Sequence, residues 1–136
     1  MSASIRVLLN RFYDLANGAE GSLSEVLIDD FDMGIAHGFP YGGDYLGMED
    51  VGGFFANYKS HFDSWRVDIE RFIEVDDQNM IATGSYTAVA SDTGKEFNME
   101  TAHIWTAKDG MLTSLKQYCD TAILSAAMDH KVPLKS

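Results

Sequence analysis

The sequence has 136 residues and a net charge of −11, with 21 acidic side chains against 10 lysines and arginines. This length predicts one domain over residues 1–136. Nine carboxylates and no lysine or arginine lie between Arg11 and Lys59. Because nucleic acids and anionic membrane surfaces are bound through clustered cations, the composition argues against both as partners.

The single cysteine, Cys119, excludes an internal disulfide and fits a reducing compartment. The first residues lack the apolar core and cleavage site of a signal peptide. No stretch approaches the roughly 20 apolar residues of a membrane span. We therefore expect a cytoplasmic protein.

The first half of the chain carries helical periodicity. Apolar residues recur every three or four positions, and a Ser-x-x-Glu capping box precedes the middle stretch. These signals predict three helices, at residues 4–17, 23 to about 27, and 51–62. Between the second and third, alternation over 31–35 predicts a short strand, and the glycine-rich stretch 38–47 predicts a loop.

The second half changes to strand periodicity, with Asp109-Gly110 as a hairpin signal. Four long strands are predicted at 65–75, 80–90, 96–107 and 111–119, followed by a helical turn or short helix at 120–129. Helices segregated from a mainly antiparallel sheet define an α+β fold. A curved sheet wrapped over the first helix leaves a cone with one open end, which suits a small hydrophobic ligand.

Strand alternation groups candidate catalytic side chains on the inner faces of the last two strands, and leaves open whether Asp120, further along its strand, reaches His103. We expect Met99, His103 and Trp105 to share one inner face, and Tyr118 and Asp120 to share the next. Asp120 in an apolar cavity would have a raised pKa and act as a general base. The run beginning at Asp120 is equally typical of a helix N-cap. His103 could orient such a carboxylate, act as an acid or base, or be a buried structural histidine.

Further aromatic and histidine side chains complete the expected pocket. Four tyrosines could donate a hydroxyl hydrogen bond to the carbonyl oxygen of a ligand: Tyr13, Tyr41, Tyr45 and Tyr118. The wall of the pocket could be formed by the aromatic rings of Phe55, Trp65 and Trp105. His37 is either a rim residue or an ordinary loop residue, whereas His61 and His130 are expected at the surface.

Motifs for other chemistries are missing. The sequence has no dinucleotide-binding or P-loop glycine pattern, no paired-histidine or Cys-x-x-Cys metal motif, and no Gly-x-Ser-x-Gly elbow. We therefore expect neither a metal nor a cofactor. Cys119 has no neighbouring base in the sequence and is expected to be an unreactive thiol.

Several segments together resemble the SnoaL-like family of the nuclear transport factor two-like, or ketosteroid-isomerase-like, superfamily. The strongest are the residues 102–105 (Ala-His-Ile-Trp), the Asp109-Gly110 turn and the residues 117–121 (Gln-Tyr-Cys-Asp-Thr). Weaker matches are Phe12-Tyr13, Asp30-Phe31 and residues 45–47. The resemblance implies a cone-shaped, cystatin-like barrel with a curved mixed sheet, and a homodimer packed through that sheet.

The resemblance also implies site residues. Polyketide cyclases of the family use no cofactor; an Asp on the last strand takes a proton next to a carbonyl, and a His lies nearby on the preceding strand. Asp120 and His103 match these two, and Tyr13 matches the first-helix tyrosine of the isomerases. The isomerase base itself has no counterpart, because residues 34–37 contain no carboxylate.

Two classes of function remain open at this point. The first is a cofactor-free isomerase, cyclase or lyase acting on an apolar carbonyl compound, with Asp120 as base, His103 as its partner and Tyr13 or Tyr118 as donor. A dehydratase using tyrosine and histidine donors is a variant of it. The second is a non-catalytic ligand-binding or protein-interaction domain, in which Asp120 caps a helix and His103 is structural.

Overall fold

The computed structural model describes residues 2–128 and 132–135, with side chains from Ile5 onward. Its elements are, in chain order, α1 (Ser2–Ala16), a 3₁₀ turn (Leu23–Glu25), β1 (Leu27–Ile35), β2 (Gly43–Leu46), α2 (Met48–Lys59), β3 (Phe62–Glu74), β4 (Asn79–Ala90), β5 (Glu96–Lys108), β6 (Met111–Cys119) and α3 (Thr121–Ala127). The predicted α+β class is confirmed.

The six strands form one open sheet in the order β2-β1-β6-β5-β4-β3. Strand β1 runs parallel to β6, and every other neighbouring pair is antiparallel, so the sheet is mixed. The sheet does not close into a barrel, because β2 and β3 remain its two edges.

Helix α1 packs its apolar stripe on the concave face of the sheet. Ile5, Leu9, Phe12 and Tyr13 are all buried in one core with residues of the strands. These four residues follow the three- and four-residue spacing that puts side chains on one helical face. The concave face and α1 therefore enclose the interior of the molecule.

The first half departs from several of the predicted elements, and the helix predicted at 51–62 lies at Met48–Lys59. The capping box at Ser22 is present, with the Ser22 N–H donating to Glu25 Oε2 at 2.7 Å, but it begins only a 3₁₀ turn. Strand β1 starts at Leu27, four residues before the predicted start. Residues 43–46, predicted as loop, form the edge strand β2 against β1. Within the described residues, no helix is long and apolar enough to cross a membrane.

Candidate functional site

A histidine from the middle of the sheet meets a tyrosine from the first helix. His103 on β5 points to the concave face, where its side chain is only 3% exposed. Tyr13 on α1 reaches its Nδ1 atom at 2.6 Å, and Tyr86 on β4 reaches its Nε2 atom at 2.6 Å. Three elements thus bring two phenols to the two nitrogens of one imidazole.

Outer partners fix the direction of the hydrogen bonds around this group. The Trp105 indole, which can only donate, bonds to the Tyr13 hydroxyl oxygen at 2.9 Å. The Ala36 N–H donates to Gln117 Oε1, so the Gln117 amide nitrogen faces Tyr86 and donates to its hydroxyl oxygen at 2.9 Å. Both phenol oxygens therefore already accept one hydrogen bond.

Burial sets the charge state of the histidine. Removal from water lowers the pKa of His103 from 6.5 to about 3, because the charged imidazolium would lose its hydration. Burial also raises the pKa of Tyr13 and of Tyr86 above the usual range. At neutral pH the whole Tyr13–His103–Tyr86 group is consequently uncharged.

A neutral group of this kind holds one proton more than its internal hydrogen bonds use. The imidazole carries one N–H proton and each phenol carries one O–H proton, so there are three protons for two bonds. The Thr101 hydroxyl donates to the Tyr118 carbonyl at 2.8 Å, but its oxygen remains an acceptor and lies 3.2 Å from His103 Nε2, within hydrogen-bonding reach of Tyr86. In the Nδ1–H tautomer of the imidazole the surplus proton is the Tyr13 O–H, which is left to donate elsewhere, whereas in the Nε2–H tautomer it is the Tyr86 O–H, which Thr101 Oγ1 can accept.

Both phenols line a small interior cavity of about 30 Å³. Its wall is largely aromatic and aliphatic, and the chain contributes to it Phe12, Tyr13, Ala16, Ile35, Phe54, Phe55, Tyr58, Trp65, Val67, Tyr86, His103, Leu115 and Gln117. This volume holds one or two water molecules. Phe55 and Trp65 are only half-buried, so a larger ligand must displace rings at this side.

Of the residues predicted for the site, Tyr13, His103, Phe55 and Trp65 come together at this cavity. Trp105 is fully buried behind Tyr13 and orients it. Met99 is buried in the core but does not reach the cavity wall. The wall contains no carboxylate.

The expectation that Tyr118 and Asp120 face the interior is wrong. An irregularity in the pairing of β5 and β6 between Thr106 and Ala107 shifts the alternation of β6 by one residue. Leu115 and Gln117 therefore point inward, and Tyr118 is 51% exposed. Asp120 is exposed and caps α3, because its carboxylate accepts the Ile123 N–H at 3.4 Å. This matches the alternative prediction that Asp120 is a helix N-cap.

Two other predicted pocket residues lie elsewhere. His37 is exposed in the turn that follows β1, because the strand ends before it. Tyr45 on β2 is buried, but it lines a separate groove beside α2. Tyr41 lines the same groove and contacts His61 at 3.0 Å, while His130 lies outside the described residues.

Sequence reasoning missed Tyr86 and Gln117. Tyr86 could have been found, since it alternates with Ala82 and Ala88 on the apolar face of its strand. Gln117 could not have been found, because the sequence of β6 alternates polar and apolar residues and does not reveal the pairing irregularity that turns Gln117 inward. Among the described residues, no three His, Cys, Asp or Glu side chains converge as a metal site would require.

The comparisons with known proteins agree with this architecture. Residues 9–115 match the SnoaL-like domain family, so the chain belongs to that family. A search of curated proteins found no match.

Solved structures share the fold at low sequence identity. An NTF2-like protein from Burkholderia thailandensis is 20% identical with a TM-score of 0.82, over 93% of this chain and 98% of its own. TerC, co-crystallised with polyporic acid, is 20% identical with a TM-score of 0.76, over 94% and 97%. A structure assigned to a SnoaL-like polyketide cyclase from Jannaschia sp. CCS1 is 17% identical with a TM-score of 0.78, over 94% of each chain.

Proposed function

We propose that the chain binds a small, largely apolar carbonyl compound in the interior cavity and moves a proton on it without a cofactor. The observation that carries the proposal is the Tyr13–His103–Tyr86 group itself, whose Nδ1–H tautomer leaves a surplus phenolic proton on Tyr13, a residue that lines a largely apolar cavity. A carbonyl oxygen is the ligand group that would accept it. The co-crystal of TerC with polyporic acid supports a small organic ligand on this fold.

The group can relay a proton while remaining neutral. Tyr13 donates its O–H proton to the carbonyl oxygen and receives the Nδ1 proton of His103. His103 takes the Tyr86 proton at Nε2, and Tyr86 takes a proton from the carbon next to the carbonyl. The C–H bond breaks, its electron pair forms the carbon–carbon double bond of an enol, and the imidazole ends in its other tautomer.

Neutrality is the reason to prefer this relay over a sequence of ionic steps. A free imidazolium or phenolate would stand in the buried cavity, and burial disfavours both charges. The relay creates neither, and it replaces the carboxylate base that the cavity wall lacks. The same three groups serve an isomerase, a cyclase or a dehydratase, which all begin by shifting a proton next to a carbonyl.

A matched pair of probes tests the binding part of the proposal. Cyclohexanone and methylenecyclohexane have similar shapes, but only the ketone accepts a hydrogen bond. We expect the ketone to bind more tightly by about 2- to 12-fold, the value of one neutral hydrogen bond. Binding is measured by NMR titration, with methyl and aromatic shifts of the cavity wall as the readout.

Variants make this test specific to the surplus proton. Tyr86→Phe keeps the Tyr13 phenol, whose proton is free once the imidazole Nδ1–H bonds to its oxygen, so this variant retains the preference. Tyr13→Phe leaves only the Tyr86 proton, which Thr101 Oγ1 can accept, so this variant loses most of the preference. The double variant loses it. Equal binding of both probes by the folded parent protein, or a preference that survives in the folded double variant, would contradict the proposal.

The second candidate function is binding without catalysis, favoured by the small size of the interior cavity. It predicts the same ketone preference but no proton exchange on the ligand.

We also propose a cytoplasmic location, in line with the single cysteine, and a homodimer formed through the outer face of the sheet. The dimer is supported by exposed apolar side chains on that face, Ile104 and Tyr118.

A further inference from the structure

A second concave site lies outside the cone, between β2 and the start of α2. This β2–α2 groove has a volume of about 630 Å³ and is separated from the interior cavity by the Phe54 ring, which borders both. Its wall includes the rings of Tyr41 and Tyr45 and the carboxylates of Glu49 and Asp50. It plays no part in the proton relay proposed above.

The C-terminal segment of the chain crosses this groove. The Tyr41 N–H donates to the Pro133 carbonyl at 2.8 Å, which holds residues 132–135 against the groove. Lys135 then places its ammonium 4.1 Å from the centre of the Tyr45 ring and donates to the Asp44 carbonyl. An aromatic face together with a carbonyl acceptor is a common way for proteins to hold an ammonium group.

The ring that receives the ammonium is held in position by its own hydroxyl. Tyr45 donates to the Tyr41 carbonyl at 2.5 Å, and burial, followed by the nearby charge of Asp50, raises the pKa of Tyr45. The hydroxyl therefore stays protonated, and the ring presents its face to the groove at neutral pH.

The charge of the groove favours a cation. Lys135 is the one basic side chain of its wall, against two carboxylates. Neither carboxylate takes part in the salt bridges that the described residues form, which are Arg11–Glu25 and Arg66–Asp68. Asp50 accepts the Leu46 N–H at 3.1 Å, a neutral donor that leaves the negative charge of the carboxylate in place.

We propose that the β2–α2 groove is a binding site for an organic ammonium group, and that Lys135 of the chain's own C-terminal segment occupies it. A ligand bearing an alkylammonium group must then displace Lys135. Because the tail is tethered, it competes at a high effective concentration and weakens every external ammonium ligand.

The test is an NMR titration of the 136-residue protein with n-butylammonium chloride. We expect the amides of residues 43–53 to shift, and the apparent Kd to be at least about twofold lower in Lys135→Gln than in the parent protein, since one cation–π contact is lost from the competitor. Lys108→Gln, which removes an equal charge at the end of β5, serves as the control and should bind like the parent. n-Butanol should cause no shift.

Two further variants in the Lys135→Gln background separate the contributions of ring and charge. Tyr45→Leu should abolish binding, and Glu49→Gln should weaken it without disturbing the ring. An absence of shifts in Lys135→Gln would overturn the site, and equal Kd values for the parent and Lys135→Gln would overturn its occupation by the tail. The ketone titration is unaffected by these variants, so the two proposals fail independently.

Discussion

Folding changes the ionisation of His103 in a pH range where stability is easily measured. Its pKa falls from 6.5 to about 3 because burial removes the imidazole from water. Between these values the unfolded chain binds a proton that the folded chain does not. Stability therefore increases with pH across this window, and it is lost as the pH falls below 6.5.

We expect the free energy of unfolding to drop by about 1.7 kcal/mol through His103 alone between pH 6.5 and pH 5, because the unfolded imidazole is half protonated at pH 6.5 and the slope approaches 1.36 kcal/mol per pH unit only below it. Urea unfolding at the two pH values measures it, as the difference between the parent protein and His103→Gln. His37→Gln removes an exposed histidine and should keep the pH dependence of the parent. A pH dependence unchanged by His103→Gln would show that His103 is not buried in neutral form.

At the level of elements, the last strand decides which residues reach the cavity. A single irregularity opposite Thr106 and Ala107 turns Gln117 inward and leaves Tyr118 and Asp120 outside. Asp120 then acts at the start of α3, where the free N–H groups of the first turn need an acceptor. Its role in the structure is that of an N-cap.

Removal of this cap should cost stability and leave binding alone. We expect Asp120→Ala to lower the free energy of unfolding by about 1 kcal/mol, and Asp120→Asn to lower it by much less, since asparagine caps nearly as well. Urea unfolding measures both. A loss of cyclohexanone binding in Asp120→Asn at unchanged stability would restore Asp120 to the site.

The sequence predicts the elements of this fold better than the faces of its strands. Long strands such as β4 alternate without interruption, so their buried residues follow from the pattern alone. The edge strand β2 carries Gly43 and only four residues, and it owes its pairing to the neighbouring β1 rather than to local propensity. Within the site, Tyr13 and His103 follow from the pattern and from the family resemblance, whereas Gln117 depends on an irregularity that only the three-dimensional pairing reveals.

At the level of the whole molecule, the open sheet has a concave face covered by α1 and an outer face that carries exposed apolar side chains. Ile104 is 40% exposed there, next to the strand that carries Tyr118. Apolar groups at the centre of a sheet face are typical of an interface. The proposed dimer would cover them.

We expect sedimentation analysis to give twice the chain mass of 15.1 kDa, and Ile104→Lys to give the monomer, because a buried unpaired charge opposes association. Val7→Lys places the same charge at a 68% exposed position of α1 and should remain dimeric. A monomeric parent protein, or a dimer unaffected by Ile104→Lys, would rule out this interface.

In the proposed relay, the Tyr13–His103–Tyr86 group moves a proton on a bound ketone. The most direct measurement is the exchange of the α-hydrogens of cyclohexanone for deuterium in D₂O, followed by NMR, because exchange reports enol formation without knowledge of the natural substrate. We predict that the protein accelerates exchange and that His103→Gln lowers the acceleration at least about a hundredfold, while still folded, and His37→Gln does not. Exchange at the uncatalysed rate in the presence of saturating parent protein would contradict the relay and leave a binding domain.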